Sequence, residues 1–131
     1  MVTERAESAL RGWQVPIYGS KAEVDASYKR MVEHGCEPER AAAVHLGLAS
    51  HNVFDLAFGM VMRARAGVEA HVGFELLEGM ADPLQRAVTA VADDALVYAP
   101  LVEPDGMQTA IAYLMRRLDE NTADENFLRH S

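Results

Sequence analysis

Residues 72–91 read Val72-Gly73-Phe74-Glu75-Leu76-Leu77-Glu78-Gly79-Met80-Ala81-Asp82-Pro83-Leu84-Gln85-Arg86-Ala87-Val88-Thr89-Ala90-Val91. The first six lack the polar alternation of a half-exposed strand, so Val72–Leu77 is predicted as a buried strand. Asp82-Pro83 then supplies an N-cap and a favoured first-turn proline. Leu84, Ala87, Val88 and Val91 follow at helical spacing and are expected to form the buried stripe of a helix.

The same order recurs on both sides. Upstream, residues 41–49 form a continuous, mostly apolar run of strand length, expected to be buried on both faces. Ser50-His51-Asn52 follows, with Asn52 placed to cap a helix whose apolar positions are Val53, Leu56, Ala57, Met60 and Val61. Downstream, residues 95–99 read as a third strand, Glu103-Pro104-Asp105-Gly106 as a turn, and Met107–Asn121 as a helix. The strand centres lie about 25 to 30 residues apart, the length of one strand-helix unit. A β-α-β-α-β-α string predicts a parallel sheet with helical crossovers. Two helices lead into it. One covers residues 3–11 and ends at Gly12 to Pro16; the other opens on the capping box Ser20-Lys21-Ala22-Glu23 and stops at His34-Gly35.

With 131 residues and 50% apolar composition the chain can bury a core. A closed (β/α)8 barrel uses about 250 residues, so the expectation is one partial domain over residues 1–131, about half a barrel. Twelve basic against 20 acidic residues, a net charge of −8, exclude the clustered cations of a nucleic-acid footprint. A single cysteine, Cys36, cannot form an internal disulfide, and no Cys-x-x-Cys occurs. No export signal or membrane anchor is expected, and a cytoplasmic setting is the default.

Parallel β/α folds gather their sites at the carboxyl ends of strands. Here those junctions are Ser50-His51-Asn52, Glu75-Leu76-Leu77-Glu78-Gly79 and Tyr98-Ala99-Pro100. On a helical wheel Ile111, Leu114, Met115 and Leu118 fall within about 100° as an apolar stripe. Tyr113, Arg116, Arg117 and Glu120 fall on the opposite side. Two adjacent arginines one turn after a tyrosine suit bidentate capture of a carboxylate. The same face also reads as solvated surface carrying an Arg116–Glu120 pair. His51 reads either as a base or cofactor donor or as a hydrogen-bonded structural residue, while Asn52 is accounted for by capping. His45, His51 and His71 lack metal-ligand spacing, so no metal is expected. Cys36 is expected to be an inert packing residue. Neither Gly-x-Gly-x-x-Gly nor a Gly-Lys-Ser/Thr phosphate loop is present, which favours a barrel over a doubly wound nucleotide fold.

Several of these segments resemble one family. Tyr98-Ala99-Pro100, then Ala112-Tyr113-Leu114-Met115-Arg116-Arg117-Leu118-Asp119-Glu120-Asn121, then Asn126-Phe127 look like the end of the proline dehydrogenase barrel. Ser50-His51-Asn52 resembles the family's Thr/Ser-His-Asn after strand six. Phe74-Glu75-Leu76-Leu77-Glu78-Gly79-Met80 resembles its Phe-x-x-Leu-x-Gly-Met around strand seven, and the segment from Lys21 to Tyr28, with Asp25 and Ser27, also fits.

The resemblance implies the carboxyl-terminal portion of a (β/α)8 TIM-like barrel: three parallel strands, six to eight, with their helices and two leading helices. It implies FAD as cofactor and oxidation of L-proline to Δ1-pyrroline-5-carboxylate, as in the bifunctional proline utilisation A proteins. Arg116 and Arg117 would pair with the substrate carboxylate, and Tyr98, Tyr113 and Leu77 would shape the pocket around the pyrrolidine ring. Ser50, His51, Asn52, Glu75, Leu76, Glu120 and Phe127 would lie along the FAD. A quinone or other electron acceptor is implied, which would bring the protein to the inner face of the membrane. So is a fused or associated pyrroline-5-carboxylate dehydrogenase.

The family's early-strand lysine and its Arg-x-x-Lys-Gly-Ala-Tyr-Trp segment at strand five have no counterpart here, and Glu75 stands where glutamine is common. Two other expectations stay open beside this one. The chain would be an inactive fragment that self-associates or pairs with a missing barrel half, or another β/α-barrel enzyme that binds a small carboxylate.

Overall fold

The computed structural model describes residues 2–92 and 95–121. Two compact units emerge, residues 1–31 and 32–131. In the first, α1 (Val2–Arg11) is followed by a loop and the start of α2 (Lys21–Gly35). The capping box forms as expected. Ser20 Oγ accepts from Glu23 N at 3.3 Å, and a Glu23 carboxylate oxygen accepts from Ser20 N at 2.9 Å. The loop is tied by Arg5, which donates to Tyr18 O, and by the Tyr18 hydroxyl, which donates to Ser27 Oγ.

The second unit holds α3 (Pro38–Ala43), β1 (Leu46–Ala49), α4 (Val53–Ala66), β2 (Val72–Leu77), α5 (Asp82–Val91), β3 (Ala95–Tyr98), a 3-10 turn (Pro104–Gly106) and α6 (Met107–Asn121). All three strands are parallel, in the order β1-β2-β3. Leu46 to Ala49 pair with Val72 to Glu75, and Phe74 to Leu77 pair with Ala95 to Tyr98. The strand-helix alternation read from the sequence is therefore present.

One strand boundary differs. Residues 41–43 of the apolar run belong to the helix Pro38–Ala43, and only the last four residues of the run are strand. Pro38 sits in the first turn and three consecutive alanines give up no side-chain entropy in a helix, so local preference outweighs apolar continuity. Nor is β1 buried on both faces. It is an edge strand in which Leu48 is buried while Gly47 and Ala49 are exposed.

Pleating splits the sheet residues into two sets. Leu46, Leu48, Val72, Phe74, Leu76, Ala95 and Val97 share one face by register, and α4 packs on it. Gly59 of α4 permits the closest approach. A β-carbon there would stand 2.6 Å from Leu48 Cδ1 and 3.3 Å from Phe74 Cε1. One turn on, Arg63 donates from Nη1 to the Val72 carbonyl at 2.7 Å and lies 4.7 Å from the Phe74 ring centroid. The inward face of α4 is thus Asp55, Leu56, Gly59 and Arg63, while Val53, Ala57 and Val61 are exposed. On α5 only Val88 of the expected stripe is buried. Leu84 is half-buried and Ala87 and Val91 are exposed.

The other sheet face carries Gly47, Ala49, Gly73, Glu75, Leu77, Leu96 and Tyr98. Leu96 is 57% exposed, so no layer covers this side at β3. Cys36 is buried, and burial pushes its thiol pKa up while the Arg63 charge opposes the shift. Among the described residues no helix is long and apolar enough to cross a membrane.

Candidate active site

Three junctions bring polar groups to the carboxyl ends of the strands. After β1, the turn of residues 50–54 is held by its own side chains. Ser50 Oγ accepts from Asn52 N at 3.1 Å, and Asn52 Oδ1 accepts from Phe54 N at 3.0 Å, which makes Asn52 the N-cap of α4. Between them His51 Nε2 accepts from Leu77 N at 3.2 Å, reaching from the end of β1 to the end of β2. Burial lowers the His51 pKa, and an acceptor Nε2 has to be unprotonated. His51 thus makes a hydrogen bond within the fold, between the ends of two strands.

After β2, two residues adopt left-handed backbone, Gly79 at φ 75° and Ala81 at φ 52°. Glycine takes that conformation freely, whereas alanine pays a steric cost. Ala81, rather than Asp82, is the N-cap of α5. Asp82 is the first helical residue, where its carboxylate faces the positive end of the helix dipole.

The exposed sheet face converges on α6. Glu75 is half-buried at the centre of β2 and its side chain lies across Gly47 of β1. Tyr98 ends β3 beside Leu77, its register partner. The Tyr98 phenol is held above its usual pKa, chiefly by burial. Tyr113, through its charge and a side-chain hydrogen bond, and the Glu75 charge add to the rise, and the Arg117 guanidinium opposes it. Arg117 lies over the Tyr113 ring at 5.5 Å from its centroid. Tyr98, Tyr113, Glu75 and Arg117 therefore form one electrostatic cluster.

Of the two readings of the Tyr113 face of α6, solvated surface or binding patch, the structure turns Tyr113 and Arg117 partly inward. Ala110, Tyr113, Leu114 and Arg117, at the 3, 1, 3 spacing of one helix face, are its buried or half-buried positions between Met107 and Asp119. Three of the four stripe residues are open, Ile111 and Met115 each 53% exposed and Leu118 50%, while Leu114 is half-buried. The arginine pair also divides. Arg117 is half-buried in the cluster, whereas Arg116, about 100° further round the helix, is exposed.

The remaining candidates fall in different places. Leu77 is buried on the same face as Glu75 and Tyr98. Leu76 is 1% exposed on the helix-covered face, so only its main chain is available to the opposite side. The side chain of Glu120 and all of Phe127 lie outside the described residues. Among the described residues no group of three or more His, Cys, Asp or Glu side chains converges as a metal centre. Sequence reasoning did not single out Gly47, whose missing β-carbon makes room for Glu75. The signal was a glycine inside a predicted strand, which marks a close approach of other atoms.

Comparison with known proteins gives a consistent result. A family model described as proline dehydrogenase matches residues 1–130. The bifunctional protein PutA of Rhizobium meliloti is 32% identical over 119 residues, covering 86% of this chain and 9% of that protein. PutA of Escherichia coli (strain K12) is 33% identical over 122 residues, with the same two coverages. In three dimensions the chain resembles the structure of proline utilization A from Corynebacterium freiburgense with a TM-score of 0.77 and 37% identity. That match covers 91% of this chain and 12% of that one. The chain thus spans about a tenth of the length of the relatives it matches.

Proposed function

The chain belongs to the proline dehydrogenase family, and from that membership we propose that it takes part in the FAD-dependent oxidation of L-proline to Δ1-pyrroline-5-carboxylate. In this reading residues 1–131 are one partial domain, strands six to eight of a β/α barrel. The exposed sheet face is the barrel interior. The observation that carries the reading is the meeting of Tyr98, Tyr113, Glu75 and Arg117 at the carboxyl ends of the strands.

The residues present suit a flat, polar-edged cofactor. Gly47 and Ala49 add little side-chain bulk on this side of β1, the Glu75 carboxylate lies across Gly47, and the turn at Ser50, His51 and Asn52 ends that strand in hydrogen-bonding groups. Ser50, His51, Asn52, Glu75, the main chain of Leu76, Glu120 and Phe127 would hold FAD. FAD, when bound, would supply the two-electron oxidant for the substrate. The chain's own part is orientation. Arg117, with Arg116 beside it in sequence, grips the substrate carboxylate, and the planar guanidinium fixes direction as well as position. Leu77, Tyr98 and Tyr113 exclude water around the pyrrolidine ring. A quinone or other acceptor, met at the inner face of the membrane by an otherwise cytoplasmic protein, takes the electrons on. A fused or associated dehydrogenase consumes the product.

The test is proline-dependent reduction of a dye acceptor by the purified protein supplied with FAD. Turnover supports the reading. A protein that retains no flavin and reduces no dye favours the alternative of an inactive interaction unit.

A further inference from the structure

We infer that His51 is a positioning residue: its imidazole takes the place of a strand carbonyl at the end of β2 and fixes the main chain that carries Leu77. β1 pairs with β2 only as far as Ala49 opposite Glu75. Successive amides of a strand point to opposite neighbours. Beyond Glu75, the Glu78 N–H is taken by the Tyr98 carbonyl of β3 at 2.9 Å. The Leu77 N–H faces the side where β1 has already ended, and His51 Nε2 receives it at 3.2 Å. A side chain 26 residues distant thus adds one rung to the ladder.

The geometry also assigns the tautomer. Nε2 is the acceptor, so the imidazole is neutral and its proton sits on Nδ1. The imidazole is carried on a pre-set turn, because Ser50 Oγ and Asn52 Oδ1 bind the main chain on either side of it. Its effect passes to the site through Leu77, whose side chain shares a face with Glu75 and stands beside Tyr98 in register. The inference rests on the reading in which Leu77 and Tyr98 line the proline pocket.

The experiment compares the 15N-labelled protein with His51→Gln, whose carbonyl oxygen reaches close to the position of Nε2, and with His51→Phe, which offers no acceptor. The wild type is expected to show protonated Nδ1 and unprotonated Nε2. Leu77 amide exchange should accelerate several-fold to about tenfold in His51→Phe and stay near wild type in His51→Gln. Glu78 exchange serves as the control that β2 remains folded. The Tyr98 amide resonance, beside Leu77 in register, should shift in His51→Phe and return toward wild type in His51→Gln. Protonated Nε2, unchanged Leu77 exchange in a folded His51→Phe, or a Tyr98 resonance that ignores faster Leu77 exchange would each overturn the positioning role. A wild type that never oxidises proline contradicts the proposed substrate while the exchange result stands by itself, so the two failures are distinguishable.

Discussion

The Glu75 carboxylate lies over Gly47 so closely that a β-carbon on Gly47 would stand 2.6 Å from Glu75 Cδ. The central strand thus carries its one inner-face charge across a gap that only glycine leaves open. The obstructing atoms are the far end of a flexible side chain, so Gly47→Ala is expected to cost less than about 1 kcal/mol in stability. Its larger effect should be on the site, because Glu75 must move away from β1. Glu75→Ala should remove most of the Gly47→Ala effect, giving a non-zero coupling in a double-mutant cycle on ligand affinity. Strict additivity would contradict the contact.

Arg63 joins α4 to the sheet with a charge-assisted hydrogen bond to the Val72 carbonyl, and Val72 is fully buried. Arg63→Met keeps much of the apolar stem but strands that carbonyl. The expected loss is about 2 kcal/mol, read as a urea midpoint lower by roughly 1 M. An unchanged midpoint would mean that water or another donor replaces the guanidinium.

Ala81 is the described non-glycine residue with positive φ. Left-handed backbone costs an L-residue about 1–2 kcal/mol, and glycine's greater freedom in the unfolded chain returns about 0.5–1 kcal/mol of that. Ala81→Gly should therefore raise the melting temperature by an amount equivalent to about 0.5–1 kcal/mol. A lower melting temperature would indicate that the Ala81 methyl group packs usefully.

Stability should also fall with acid through His51. Its pKa is lowered by burial from an ordinary 6.5, so below that pH the unfolded chain takes up a proton that the folded chain resists. The stabilisation is complete above about pH 6.5 and declines as pH falls further. His51→Gln cannot titrate and should show a shallower decline between pH 7 and pH 5. Parallel stability curves for the two proteins would contradict this assignment.

The order of elements was legible in the sequence because each junction announces itself in local chemistry. The capping box at Ser20, the cap at Asn52 and the first-turn proline Pro83 operate within a few residues of themselves. Two features were not legible, for the same physical reason. Residues 41–43 look like strand by apolarity and are helix by alanine preference, and only the reach of β2 decides where pairing begins. On α6 the wheel left two readings for the Tyr113 and Arg117 face. The helix meets a polar site rather than a core, so Tyr113 and Arg117 turn toward the sheet while Ile111 and Met115 stay open. His51 shows the limit from the other side. Its residue type allowed both a structural and a functional role, and its partner, the Leu77 amide, lies 26 residues away in the chain.

The central claim is that Arg117, held half-buried beside Tyr113 and Tyr98, receives the carboxylate of proline. The most direct measurement is anaerobic titration of the FAD-loaded protein with L-proline, following loss of the oxidised flavin absorbance, for the wild type, Arg116→Met and Arg117→Met. Loss of a charge-assisted pair is worth about 1.5–3 kcal/mol, so Arg117→Met should need roughly ten to a hundred times more proline. The exposed Arg116 should matter less. If proline leaves the wild-type flavin unchanged, or if Arg117→Met titrates at the wild-type concentration, the site does not act as described.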